Sequence, residues 1–205
     1  MAGTILPVGY GERQRGAPPL TPVLHVLANL VGAAGVGVAW GLLGALLPWH
    51  GRPAVTSGQA LLGAGLVAVT YSARELGLLP VPVPHLSRQV SGRWRRSFRP
   101  RTFAILYGLE LGTGITTFVN FTGIYVALVW VALLGNPVWG AIVMMFFGLG
   151  RGLPLLWLAS RTSTAEEAFH RLEFLSGWKP LAHLASGLVL AMVGPGMVVA
   201  VLTHG

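Results

Sequence analysis

The apolar positions of this chain run in long blocks rather than in narrow stripes. Residues 22–48, 59–79, 138–160 and 181–203 are each long and apolar enough for a helix to cross a bilayer, which takes about 20 residues. A fifth block, 102–134, is longer and is interrupted by polar residues near 116–120. It reads as one long, tilted or broken helix, or as two short helices meeting at the interruption. The pattern predicts an all-α polytopic membrane protein with about five transmembrane elements, a helix bundle with broken helices, after a cytoplasmic tail at 1–21.

The connectors carry their own signals. Pro80, Pro82 and Pro84 alternate with apolar residues, which forbids helix and favours a stiff, extended strand of chain. The stretch "TSTAEEAFHRLEFL" predicts a short amphipathic helix, capped by Ser163 or Thr164, with Glu166 and Glu167 in its first turn. Such a helix lies along the membrane surface or forms an ordinary solvated loop.

Composition sharpens the class. Only 10% of residues are charged and 53% are hydrophobic, against about 25% charged in soluble domains. The net charge of +8 has one main source. Arg88, Arg93, Arg95, Arg96, Arg99 and Arg101 crowd into the connector 80–101, which marks it as a cytoplasmic anchor and not as a nucleic-acid surface. Counting outwards from that loop puts the N-terminus inside and the C-terminus outside an inner membrane. Arg161, Arg171 and Lys179 then also lie inside. The first apolar block is a full span without a processing site, so no cleaved signal peptide is expected. Cysteine is absent, which removes disulfides, thiolate metal sites and thiol redox chemistry.

Small residues recur at four-residue spacing, as Ala33, Gly37 and Gly41, and again as Gly108, Gly112 and Thr116. This spacing lets helix backbones approach closely in lipid. Beside the second stripe lies a polar one. Glu110, Thr113, Thr117 and Asn120 share one helix face, and together with Thr116 they are the candidates for a buried polar site or substrate path. A carboxylate in the hydrocarbon is expensive without a partner. Arg151 is the other charge well inside a span. Glu110 and Arg151 stand ~12 Å and ~15 Å from the cytoplasmic ends of adjacent elements, so they are expected to pair. The pair is either a salt bridge that fixes register or part of a solute or ion site.

Gly150, Gly152 and Pro154 around Arg151 predict a kinked or unwound hinge, as does Gly114 in the broken block. "GPG" at 194–196 predicts a second break. His25 and His183 stand alone without ligand spacing, and Arg74 and Glu75 sit at a span end where snorkelling or an interfacial ion pair suffices. No Walker loop, nucleophile elbow, zinc motif or carboxylate pair is present, so no catalytic residue, metal or cofactor is assigned.

The order "GLELGTGITT", then "FGLGRGLPLL", then a last apolar span resembles the second half of the CcdA-type cytochrome c biogenesis proteins, relatives of the DsbD transmembrane domain. "LLGAGLVAVTYSARELGLLP" is similar to the preceding span of that family, so the resemblance runs from Gln59 to the C-terminus. It implies a CcdA/LysE-superfamily-like bundle that lacks the family's first span. Thr117-Phe118 stands where the family keeps Pro-Cys, and the partner cysteine belongs to the missing span, so thiol exchange across the membrane is not available. The expected function is a small-solute or ion transporter, or a membrane subunit of a transport or maturation system. The alternative is a non-transporting scaffold or assembly factor for a partner protein. An odd number of spans further predicts a homo-oligomer or a membrane partner subunit.

Overall fold

Prolines, glycines and one asparagine set where the helices begin and end. The computed structural model describes residues 20–47, 58–83, 98–114, 122–162 and 164–204. Among them run seven helices: α1 (Leu20–Leu46), α2 (Ala60–Glu75), α3 (Pro100–Thr113), α4 (Gly123–Leu134), α5 (Pro137–Arg161), α6 (Ala165–Gly177) and α7 (Lys179–His204). Three of these, α1, α5 and α7, are long and apolar enough to cross a membrane. Leu46, Phe146, Met192 and Leu202 are 70–81% exposed, the outward apolar surface that a lipid-facing helix carries. The described residues are all-helical in their regular structure and have the character of a membrane protein.

The starts follow capping chemistry. Pro100 opens α3 behind an extended Arg99. Asn136 Oδ1 accepts from the Val138 and Trp139 N–H groups at 2.9 and 3.2 Å, which satisfies the first turn of α5. Thr164 caps α6 by accepting from the Glu167 N–H at 3.2 Å, and Glu167 then pairs with Arg171 one turn on at 2.8 Å.

The ends depart from the expected spans in two places. The second block ran to Leu79, but α2 stops at Glu75, because Gly77 turns into the left-handed region at φ 73°. The Leu78 N–H then closes back onto Ala73 O at 2.8 Å. The block 102–134 divides into α3 and α4. Gly114, at φ 67°, ends α3 in a conformation that L side chains rarely adopt. Residues 115–121 lie outside the described residues.

The proline breaks, in contrast, do not interrupt their helices. α5 runs unbroken through Pro154, and α7 through Pro195. A proline removes one helical hydrogen bond, and helices of membrane character tolerate that loss where neighbouring groups adjust. Of the kinked or unwound hinge expected at Gly150, Gly152 and Pro154, the unwound form is not what this continuous helix shows.

The chain forms two compact units. The first gathers described residues within 1–36, 85–118 and 144–177: the first part of α1, with α3, the second part of α5, and α6. Its helices meet backbone to backbone. A Cβ placed on Gly108 would lie 2.4 Å from His25 O, and one on Gly112 would lie 2.1 Å from Asn29 O. Gly32 faces Leu109 O in the same way, at 2.4 Å. From α5, Gly148 packs on Ala33, and Gly152 on Asn29 and Val26. α6 docks through Ala168 and Leu172 on Leu158 and Ala159 of α5.

The second unit gathers residues within 37–84, 119–143 and 178–205. There Gly37 and Gly140 face each other, each with the other's carbonyl oxygen within 2.2 Å of its would-be Cβ. Gly65 and Gly194 bring α2 and α7 together, and Ala68, Val126 and Leu190 form the core between α2, α4 and α7.

Adding a side chain where backbones touch forces the helices apart, at about 1–3 kcal/mol or more for each overpacked site. Gly112→Val is expected to lower the thermal midpoint of the detergent-solubilised protein by several degrees. Gly35→Ala, on α1 with nothing within 4 Å of its would-be Cβ, is expected to leave it unchanged or slightly raised. Thermal unfolding followed by size-exclusion chromatography reads both.

Candidate functional site

Two buried polar groups stand out, one in each unit. In the first unit His25 and Asn29 lie one turn apart on α1, and both are fully buried. His25 Nδ1 faces the Ala104 carbonyl of α3 at 3.2 Å. A carbonyl only accepts, so Nδ1 carries the proton and donates. The ring stacks on Tyr107 at 5.4 Å between centroids, and Tyr107 stacks on Phe103 at 5.6 Å. Asn29 Nδ2 donates to Gly148 O on α5 at 3.1 Å. One side chain of α1 thus ties to α3, and its neighbour one turn on ties to α5.

The residues that the sequence singled out lie around this pair. Glu110, one turn beyond Tyr107, is partly buried, and its Oε2 has no hydrogen-bond partner. That oxygen is therefore not held by Arg151. The Arg151 guanidinium lies over the Phe147 ring, 5.4 Å from its centroid, a cation–π arrangement on its own helix. Glu110 and Arg151 both act electrostatically on the Tyr107 hydroxyl, so the two charges share a neighbourhood.

The Thr113 hydroxyl donates to its own helix, to Glu110 O at 2.7 Å, so its proton is not offered to a solute. Gly108, Gly112 and Gly152 are contact points on α1, Gly150 has nothing near it, and Pro154 is exposed. Thr116, Thr117 and Asn120 lie outside the described residues, as do Arg88, Arg93, Arg95 and Arg96. Arg99 and Arg101 are exposed at the start of α3.

The second group is in the other unit and is more completely satisfied. Glu75 ends α2 with its side chain only 2% exposed. Its Oε1 accepts from the Thr122 N–H at 2.6 Å and from the Thr122 hydroxyl at 2.7 Å. Its Oε2 pairs with His183 Nδ1 of α7. One carboxylate thereby ties the end of α2 to the start of α7 and to the residue that precedes α4. Next to it, Arg74 donates through Nη1 to Val81 O and holds the proline-containing connector. Ser72 adds a bond to Gly187 O at 2.9 Å between the same two helices. Beside the carboxylate lies an open cavity of about 380 Å³.

Neither group has the makings of a metal centre. Among the described residues no three of His, Cys, Asp and Glu come together as a possible ligand set. Sequence reasoning undervalued both groups. Asn29 has a usable signal, since it is the one amide in the apolar stretch 26–47. The Glu75–His183 pair has none, because its partners are 108 positions apart.

Comparison with known proteins corrects the resemblance to the CcdA-type and DsbD proteins. The chain is 35% identical to the methylamine utilization protein MauF of Methylorubrum extorquens over 152 residues, 73% of this chain and 51% of that protein. It is 32% identical to MauF of Paracoccus denitrificans over 173 residues, 82% of this chain and 61% of that one. Similarity to MauF of Methylophilus methylotrophus extends over 89% of the chain at 28% identity. The chain spans between about half and two thirds of the length of these relatives. No family model matches, and no solved structure matches. The cytochrome c biogenesis assignment rested on glycine-rich apolar segments, which resemble one another in many helical membrane proteins.

The two carboxylates predict opposite behaviour. Glu75 accepts three hydrogen bonds, and hydrogen bonds to a charged group contribute about 1.5–3 kcal/mol. Glu75→Gln is expected to lose roughly 2 kcal/mol of stability. Glu110→Gln removes a charge whose Oε2 is unbonded, and is expected to be neutral or stabilising. Parallel thermal melts of both variants check this, and equal losses would contradict it.

Proposed function

We propose that this chain is a membrane-embedded scaffold or assembly factor serving methylamine utilization, acting on a partner protein and not as a solute carrier. The similarity to the MauF proteins carries this reading, because it extends over most of the chain. The packing supports it. In the first unit glycines bring the α1 backbone against α3 and α5, and the polar side chains there bond to carbonyls of neighbouring helices. Those bonds fix register, which is the role a scaffold needs. On this reading Glu110 and Arg151 are structural neighbours.

The membrane arrangement we propose has five elements in an inner membrane, with α3 and α4 together forming the third. At ~1.5 Å per residue their 14 and 12 residues make ~21 and ~18 Å, each shorter than the ~24 Å of α2 and far short of a hydrocarbon core of ~30 Å. The arginine-rich connector 80–101 then lies on the cytoplasmic side, with the N-terminus inside and the C-terminus outside. A partner subunit or a second copy of the chain covers part of the exposed apolar surface.

Deleting the gene in its own host is expected to abolish growth on methylamine while growth on ammonium continues. Uptake of labelled methylamine by washed cells should stay within about twofold of wild type, since twofold is only ~0.4 kcal/mol. Uptake that falls in step with growth would restore the carrier reading. Unimpaired growth on methylamine would remove the proposed role.

A further inference from the structure

The cavity beside Glu75 has no part in the scaffold reading. Its volume of about 380 Å³ falls within the range of small-ligand sites, about 300–1,000 Å³. Its walls are Arg74, Glu75, Gly77, Leu79, Pro80 and His183. The carboxylate is already engaged, with both oxygens bonded to Thr122 and His183. Arg74 gives one guanidinium N–H to Val81 O, and a guanidinium carries five. The cavity therefore presents a guanidinium and an imidazole oriented by Glu75, against an apolar wall of Leu79 and Pro80.

Depth narrows the ligand. Arg74 lies in the last turn of α2, and His183 stands four residues beyond Lys179, the start of α7. At ~1.5 Å per residue that is ~6 Å inside the end of a helix long enough to cross a membrane. This is the level of lipid headgroups. The Glu75 carboxylate is met by its own three donors, so the Arg74 guanidinium is the charge offered to a ligand at that level, and its fork matches the oxygens of a phosphate.

We propose that this cavity binds the phosphate of an anionic phospholipid. Arg74 takes the phosphate oxygens, His183 lies beside them, and Leu79 and Pro80 meet the glycerol and upper acyl chain. The site does not depend on the methylamine reading, because its parts are all visible in this chain.

The test uses the full chain in mild detergent, titrated with phosphatidylglycerol and followed by native mass spectrometry. One tightly retained phosphatidylglycerol per chain is expected, with phosphatidylcholine held at least about fivefold more weakly. Arg74→Gln should weaken retention roughly five- to tenfold. Leu79→Trp, which fills the cavity and leaves the Glu75–His183–Thr122 bonds intact, should weaken it as well. It keeps the proposal testable if the arginine variant misfolds. Inorganic phosphate at millimolar concentration distinguishes the sources. If it binds alone in an Arg74-dependent way and displaces the lipid, the oxyanion site stands and its natural occupant is free phosphate. Equal retention of both lipids, or retention untouched by the folded variants, overturns the site.

Discussion

Two helices whose backbones touch leave no room for side chains between them, and the first unit depends on that constraint. His25 O and Asn29 O of α1 lie against Gly108 and Gly112 of α3, while Gly148 and Gly152 of α5 also pack on α1. Close approach makes the buried amide and imidazole effective. Asn29 reaches Gly148 O and His25 reaches Ala104 O only because no Cβ holds the helices apart. In an apolar medium van der Waals packing of this kind, with a few interhelical hydrogen bonds, replaces the hydrophobic effect as the source of association. A solute path through that crossing would have to open contacts that the glycines close.

The second unit applies the same rule with a different lock. Gly65 and Gly194 let α2 and α7 meet, and the end of the contact is fastened by Glu75 with His183 and Thr122. A carboxylate with its side chain 2% exposed is tolerable because three donors surround it. Glu110 is the opposite case. One of its oxygens is buried without a partner, so its charge is a cost that the fold carries.

Much of the helical content is visible in the sequence, because long apolar blocks leave little alternative to helix. The packing stripes Ala33–Gly37–Gly41 and Gly108–Gly112 are visible too, since four-residue spacing has one geometric meaning on a helix. The interruption of the fifth block is legible from its polar residues and Gly114, although the chain alone leaves open whether it is one broken helix or two short ones. What stays hidden is whatever joins distant residues. His25 and His183 each read as an isolated polar residue, and Glu75 as a span-end charge beside Arg74, until the fold brings partners from 79 and 108 positions away. Pro154 and Pro195 mislead for a related reason, since whether a proline breaks a helix depends on neighbours the local sequence does not reveal. The family resemblance failed because glycine-rich apolar runs are set by packing in lipid and carry little ancestry.

A closed crossing at Asn29 is what separates a packed scaffold from a solute path. The native chain has no cysteine, so a single thiol can be placed there without background. Asn29→Cys puts a smaller side chain at a fully buried position, and Glu166→Cys supplies an exposed control on α6. A membrane-impermeant, water-soluble thiol reagent applied to native membranes opened from both sides should label the control and leave position 29 unmodified until the protein is denatured. Labelling of position 29 in the folded protein would reveal water at the crossing, and would contradict the packed scaffold in favour of a solute path.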